Sequence, residues 1–293
     1  MAILKHLLLS LRAFLRLKVY RLRTGIGWYE AKAMIFWDAV RAYLTQLSPP
    51  MNLSQRRKSD ENYQWQPGRG IRFILVNKRD GSVRSYSSEA FFAFHHVNAF
   101  EKGSDIFVDI ASYTDSSIIE ALYFQRLRAG DPVHRAELRR YRLPANGATA
   151  DYELLTTESI ELPRINYRLS NARDYRYAYG IGNRPDRPAD FPDQLVKVDV
   201  HERSAKVWWQ ENCYPGEPVF VPAPHSAAED DGVVLSVVLD AAKGNSFLLV
   251  LDAASFTEVA RAEVPHHIPF GFHGQFFTDQ NLGGASPALQ GWG

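Results

Sequence analysis

Two histidines, His95 and His96, stand side by side in Phe91-Phe92-Ala93-Phe94-His95-His96-Val97-Asn98-Ala99-Phe100-Glu101. Imidazole is the side chain best suited to bind a metal or to move a proton near neutral pH. Here it sits among aromatic and small apolar residues with no Gly or Pro, which reads as a buried strand. Neighbouring side chains of a strand leave on opposite faces, so the two imidazoles cannot serve one site equally. One is expected to face an interior or a metal, and the other to pack into a wall. A strand histidine taken alone also fits a hydrogen-bonded core residue. Asn98 and Glu101 suit backbone hydrogen bonds near the strand end. The carboxylates Glu161, before Leu162-Pro163, and Glu217, before Pro218, sit where burial without a partner would be costly. His134 and His201 lie among charges and read as solvated, and His225 follows Pro222-Ala223-Pro224 in a loop.

The elements around these residues are strands. Ile71 to Asn77 and Ser82 to Tyr86 read as a hairpin turned by Lys78-Arg79-Asp80-Gly81. Asp105 to Tyr113 is a second apolar strand after the histidines, and Ser116 to Leu127 has helical spacing in Ile118, Ile119, Leu122 and Phe124. Ala136 to Leu143, Leu195 to Val200 and Ala205 to Gln210 follow as strands. Val233 to Leu239, Ser246 to Leu251 and Glu258 to Val264 form a meander with polar and glycine turns between them. Short strands, close turns and one inserted helix predict an all-β domain of antiparallel meanders. Periodicity alone leaves propeller, barrel and sandwich open, because no repeat signature is visible.

The chain has 293 residues and a formal net charge of +1, so its balance makes no case for a nucleic-acid partner. The charge is unevenly placed: residues 1–50 hold eight Lys/Arg against Glu30 and Asp38. On a helical wheel Leu4, Leu8, Leu11, Leu15, Val19 and Leu22 line one side, flanked by Arg12, Arg16 and Arg23. Such a basic amphipathic helix suits peripheral association with a membrane, or organelle targeting by residues 1–25. It also suits packing on a partner surface, or a segment foreign to the fold. Ser48-Pro49-Pro50 ends any helix, and the charged run that follows reads as a linker. The expected organisation is a helical segment over 1–50, a linker over 51–62 and a β-domain over 63–293. One cysteine, Cys213, excludes an internal disulfide and a thiolate zinc cluster, which fits a cytoplasmic, reducing setting. No apolar run approaches the roughly 20 residues that span a bilayer.

Four stretches taken in series carry a resemblance. They are Phe94-His95-His96-Val97-Asn98-Ala99-Phe100-Glu101, Ile160-Glu161-Leu162-Pro163-Arg164-Ile165-Asn166-Tyr167, Tyr214-Pro215-Gly216-Glu217-Pro218-Val219-Phe220-Val221 and Ile268-Pro269-Phe270-Gly271-Phe272-His273-Gly274. Tyr175-Arg176-Tyr177-Ala178-Tyr179-Gly180 and Glu229 to Ser236 support them. In this order, over about residues 62 to 277, the chain resembles the carotenoid cleavage oxygenase family. The resemblance implies a seven-bladed β-propeller whose axis holds Fe(II) on four histidines, three of them backed by glutamates. Carried over by motif, His95 and His273 are implied as the third and fourth metal ligands, and Glu161 and Glu217 as two of the supporting carboxylates; His96, pointing away from His95 on a regular strand, is then the one expected to pack into a wall. Imidazole suits Fe(II), and a carboxylate on the far ring nitrogen fixes the tautomer and raises basicity.

The implied reaction is cleavage by dioxygen of one C=C bond of a carotenoid or apocarotenoid to carbonyl products. Phe91, Phe92, Phe94, Phe270, Phe272 and Phe276 are then either core or walls for an apolar polyene. His266 and His267 fall beside the His273 motif and could line the channel. The first two histidine ligands and first glutamate of the pattern lie upstream of the third histidine, where this chain has only His6. The expectation is therefore a C-terminal, truncated portion of such an enzyme. Two other functions remain open: a stilbene-cleaving oxygenase of the same fold, and a metal-free propeller fragment acting as a binding module.

Overall fold

The structure, a computed structural model, describes residues 64–130, 133–185 and 191–277. The expectations for residues 1–50 and 51–62 lie outside these residues. From Trp65 onward the chain forms one compact unit.

Among the described residues, a 3-10 turn at Pro67–Arg69 is followed by fifteen strands and three short helices. The hairpin β1 (Ile71–Val76) and β2 (Val83–Ser88) comes first. Its turn closes through Gly81, at φ 72°, whose N–H donates to the Asn77 carbonyl. Next come β3 (Phe92–Lys102), β4 (Asp105–Tyr113), α1 (Ser117–Ala121), α2 (Phe124–Ala129), β5 (Glu137–Leu143) and β6 (Asp151–Ser159). A third group holds β7 (Glu161–Arg164), α3 (Tyr167–Ser170), β8 (Tyr177–Gly182), β9 (Gln194–Asp199) and β10 (Ser204–Trp209). The last holds β11 (Cys213–Pro215), β12 (Val219–Pro222), β13 (Gly232–Asp240), β14 (Asn245–Asp252) and β15 (Glu258–Val264).

Every pairing among these strands is antiparallel, and each group is its own sheet. The β3–β6 and β7–β10 sheets run in sequence order, as meanders must when short turns join neighbours. In the last sheet β11 and β12 both pair with β13, so together they form one first strand broken at Gly216–Pro218. None of the described sheets closes on itself, which sets a single barrel aside.

The sheets stack face to face in chain order. Ile71, Phe73 and Leu75 of β1 pack on Ile110, Tyr141 and Leu143 of the second sheet. Val97, Phe100 and Leu138 meet Ala178, Val196 and Val198 across the next interface. Tyr179, Ile181 and Leu195 meet Val234, Phe247 and Leu249 across the third. The two middle sheets are thus buried on both faces, and β9 accordingly reads as a nearly unbroken buried run. Cys213 is buried in the third interface, and its thiol is pushed up to about 11 by that burial. Phe91 is core, stacked on Tyr141 with ring centroids 4.8 Å apart, and is not a wall of any channel.

Two expectations about local structure are corrected. The helix over Ser116–Leu127 is two helices, because Tyr123 takes an extended conformation between them. That break lets Ile118 and Ala121 turn into a small core with Ala111, Tyr113 and Ala136. Gly130, left-handed at φ 72°, ends the second helix. Strands β6, β7, β8, β11 and β12 were not marked by periodicity. In β8 the reason is close approach: a Cβ at Gly180 would lie 2.4 Å from Ile160 Cγ1, and one at Gly182 2.3 Å from the Ser159 carbonyl oxygen.

A buried charge cluster holds the second sheet to the third. Asp109, fully buried on β4, accepts Nε and Nη2 of Arg140 at 2.9 and 2.8 Å and the Tyr175 hydroxyl at 2.6 Å. Burial disfavours the Arg140 cation, but the Asp109 carboxylate outweighs it and raises the guanidinium further. Asp109→Ala would strand that cation. We expect a loss of about 3–5 kcal/mol in denaturant unfolding, with the secondary structure of the surviving fold unchanged by circular dichroism.

Candidate metal centre

The first strands of the three large sheets bring the candidate residues together. His95 lies on β3, Glu161 opens β7, Glu217 sits in the break between β11 and β12, and His273 follows β15. On β3 the pairing with β4 shifts register on both sides of the histidine pair: between Phe92 and His95, and between His96 and Asn98. Bulges of this kind re-aim side chains next to functional sites. They explain why Val97 and Asn98, adjacent in sequence, are both buried. Asn98 uses that burial to hold the chain after α3. It donates to the Ser170 and Arg173 carbonyls at 2.9 and 3.0 Å and accepts from the Ala172 N–H.

On the other side, Leu162 adopts φ 46°, a left-handed conformation that L side chains avoid. The irregular pairing between Glu161 and Arg164 spans this residue. The Leu162 N–H donates to Glu161 Oε2 at 2.8 Å, so the strained residue fixes the carboxylate. Glu217 is fixed from two directions. Its Oε2 accepts the Gly274 N–H at 2.7 Å, and Arg164 approaches Oε1 at 3.5 Å. The neighbouring Gly216 is pinned to β13 by its N–H to the Val237 carbonyl and by the Ser236 hydroxyl on its own carbonyl.

The result is two opposed imidazoles with a carboxylate behind each. His95 Nδ1 lies 2.6 Å from Glu161 Oε2, His273 Nδ1 lies 3.0 Å from Glu217 Oε1, and the two Nε2 atoms face each other at 3.4 Å. The rings cross at 80°. A carboxylate only accepts, so each Nδ1 carries the proton and each Nε2 presents a lone pair. Two lone pairs at that distance repel unless a proton or a cation lies between them. Two nitrogens on one metal at about 2.1 Å stand about 3 to 3.5 Å apart, which the observed separation matches. Glu161 Oε1 is buried without a hydrogen-bond partner in the structure, which adds negative potential beside the pair. The donor set therefore fits a first-row metal ion that favours imidazole. Among the described residues no group of three or more His, Cys, Asp or Glu side chains is placed to share one ion. The structure brings together two of the four imidazoles that the resemblance implied.

The other sequence candidates fall elsewhere. His96 is exposed rather than packed in a wall, because the bulge after it turns Val97 and Asn98 inward instead. His266 and His267 are exposed and line no channel, and His225 is exposed in its loop. His134 and His201 are exposed as expected, and Glu101 is exposed on its strand. Asn98 does bond backbone, as read. Arg164 was missed. It donates to the Gly274 carbonyl at 3.1 Å and to Gln275 Oε1 at 2.9 Å, so it pins the segment carrying His273 to the strand carrying Glu161. Its signal was its place three residues after Glu161 in Ile160-Glu161-Leu162-Pro163-Arg164. Phe92 and Phe94 meet edge to face at 4.8 Å, and Phe94 meets Tyr113 edge to face at 5.9 Å, forming an aromatic rim beside His95.

The hydrogen bond to Glu161 raises His95 above the ordinary imidazole value; burial opposes this, and the charges of Glu161 and Glu217 add to it. The charged pair stabilises the metal-free fold fully below about pH 6.5 and loses that contribution as pH rises through the raised value. Titration followed by imidazole NMR should therefore place His95 above a free histidine, and Glu161→Gln should bring it down. An unchanged value in Glu161→Gln would show that the carboxylate does not act on the ring.

Comparison with known proteins now bears on this geometry. The family model described as retinal pigment epithelial membrane protein matches residues 36–278, beginning upstream of the motifs quoted above. A mitochondrial carotenoid-cleaving dioxygenase of Mustela putorius furo is 37% identical over 258 residues, covering 73% of this chain and 47% of that protein. The chloroplastic carotenoid cleavage dioxygenase 8 homolog A of Oryza sativa subsp. japonica is 38% identical over 228 residues, covering 72% of this chain and 40% of that protein. A cobalt-substituted Synechocystis apocarotenoid oxygenase superposes with a TM-score of 0.66 at 28% identity, covering 72% of this chain and 44% of that one. This chain thus spans less than half the length of each of these relatives. With the family model matched over most of its length, the chain belongs to the retinal pigment epithelial membrane protein family, whose relatives here are carotenoid-cleaving dioxygenases.

Proposed function

We propose that residues 63–293 are the C-terminal portion of an Fe(II)-dependent dioxygenase that cleaves a C=C bond of a carotenoid or apocarotenoid to carbonyl products. The observation that carries this reading is the pair of opposed Nε2 atoms, each on a ring anchored by a glutamate. On this reading the stacked sheets are blades of a seven-bladed propeller, and His95 and His273 hold iron at its axis. Ferrous iron, when bound, would bind dioxygen and lift the spin barrier to its reaction with a polyene, whose cleaved C=C bond itself gives up the electrons that make the two carbonyls. The chain's own residues do the rest. Glu161 and Glu217 keep the Nδ1 protons and hold both rings in the metal-binding tautomer. Phe92, Phe94 and Tyr113 offer a rigid apolar wall beside His95, of the kind an extended polyene would lie against.

Burial and the Glu161 charge push the Tyr113 phenol up, so it stays a neutral wall residue. Two imidazoles alone leave the ion short of donors, so cleavage is expected only where further ligands are assembled on it. Residues 1–25 are read as a segment for organelle targeting or peripheral membrane docking, which suits a substrate that partitions into lipid. Among the described residues no helix is long and apolar enough to cross a membrane.

Iron quantitation on the purified full chain tests this. We expect bound iron that is lost in His95→Ala and in His273→Ala, and Glu217→Gln should weaken metal binding about 10–100-fold. Expression in carotenoid-accumulating cells should bleach them if cleavage follows. A well-folded chain free of iron would instead support a metal-free binding module.

A further inference from the structure

Strand β7 is only four residues long, yet it carries a support for each half of the centre. Glu161 at its start holds His95, and Arg164 at its end reaches the His273 side. Residues three apart on a regular strand leave on opposite faces, so one strand should not serve both. The left-handed Leu162 removes that parity, since it lies where the pairing of β7 with β8 turns irregular. Its conformation is disfavoured twice, by its own Cβ and by Pro163, which confines the preceding residue to extended backbone. Its side chain is nevertheless buried in the core between the third and last sheets. Strain of this kind persists where packing over-determines it, and it gathers at functional sites. Here it turns two side chains of one strand towards one centre.

Arg164 makes three contacts there with one planar fork. Nη2 donates to the Gly274 carbonyl and to Gln275 Oε1, and Nη1 lies 3.5 Å from Glu217 Oε1, the atom that accepts from His273 Nδ1. The arginine side chain is 14% exposed and that of Glu217 only 5%. A carboxylate so buried needs a counter-charge. Among the described residues no other Lys or Arg pairs with Glu217, and none pairs with Glu161. The two halves therefore differ in how they are set. Glu161 is held by the backbone N–H beside it, whereas Glu217 and residues 273–275 are drawn together by a group from another sheet.

We propose that Arg164 is a positioning residue of the centre: its fork ties Glu217 and residues 273–275 to β7, and so holds the His273 ring with Nδ1 protonated and Nε2 towards that of His95 before any ion arrives. A lysine would keep the charge but not the fork, because an ammonium is a point charge on a flexible stem. An ion then meets a site already in place and does not have to order the His273 segment on binding. That consequence rests on the proposed function; the placing of the ring does not.

Ring nitrogen chemical shifts in the metal-free full chain, at a pH where both rings are neutral, test this, because they report the tautomer. A free neutral histidine favours Nε2–H, whereas His95 and His273 should both show Nδ1–H. Arg164→Lys keeps a cation beside Glu217 and should keep the wild-type circular dichroism, yet return His273 to the free-histidine mixture and leave His95 on Nδ1–H. Gln275→Ala removes one acceptor of the fork at an exposed residue, so the core is untouched, and it should shift His273 part of the way. Arg176→Met removes an ion pair to Asp199 from the same sheet and should shift neither ring. The proposal is overturned if His273 keeps Nδ1–H in Arg164→Lys, or in Gln275→Ala should the lysine variant not fold. It is overturned as well if wild-type His273 lacks Nδ1–H, if both rings shift together, or if Arg176→Met does the same as Arg164→Lys.

Cobalt(II) titration separates this role from the proposed function. The wild-type chain should bind the ion, and Arg164→Lys should bind it about 10–100-fold more weakly. A wild-type chain that binds no cobalt, but whose His273 tautomer changes in Arg164→Lys, keeps the positioning role and removes the metal reading. Equal cobalt binding by wild type and Arg164→Lys keeps the metal reading and overturns the role of Arg164.

Discussion

Two imidazole nitrogens facing each other across 3.4 Å are a repulsive arrangement that the rest of the fold exists to maintain. Each ring is prevented from turning by a carboxylate on its far side, and each carboxylate is in turn held by backbone N–H groups and, for Glu217, by Arg164. Take away the glutamates and either ring could flip its tautomer, donate to the other, and relax the contact. The arrangement thus makes sense only with something positive between the nitrogens. The donor chemistry thus agrees with the motifs that implied a cation between these two rings.

The scaffold meets this constraint by placing ligands and supports on different sheets. His95 and its glutamate come from consecutive sheets, as do Glu217 and the strand of its Arg164 clamp, so the site is stapled across interfaces rather than built within one element. The face-to-face cores of the stack therefore have a functional as well as a stabilising role. The buried Asp109–Arg140–Tyr175 cluster and the Asn98 hydrogen bonds lie at the same junction as the His95–Glu161 pair. Loosening that junction would move a ligand away from its own support.

Much of this was legible in the sequence, for reasons that differ between residues. The hairpin and the final meander could be read from turn residues and apolar runs, and His95, His273, Glu161 and Glu217 from a series of motifs. Strands β7 and β8 were hidden because their signals are those of strain and close approach: Pro163 beside a left-handed Leu162, and glycines at 180 and 182 where no Cβ fits. The broken helix was hidden because neither Gly nor Pro marks Tyr123. His96 was misplaced for a related reason. Strict alternation was assumed on β3, whereas the register shifts around the histidines cancel it. Arg164 could be seen but not interpreted, since Gly274 and Gln275 lie more than a hundred residues away and Glu217 more than fifty.

The two jaws of the centre are mounted differently. His95 lies mid-strand on β3, the first strand of its sheet, paired to β4, while His273 rides on an irregular segment held by Arg164, by Glu217, by the Ser246 N–H and hydroxyl at His266 and Ile268, and by Phe191 against Phe270. The strand-borne ring is thus set by a regular ladder and the other ring by side-chain contacts to an irregular segment. Any ion that exchanges would leave His273 first and His95 last.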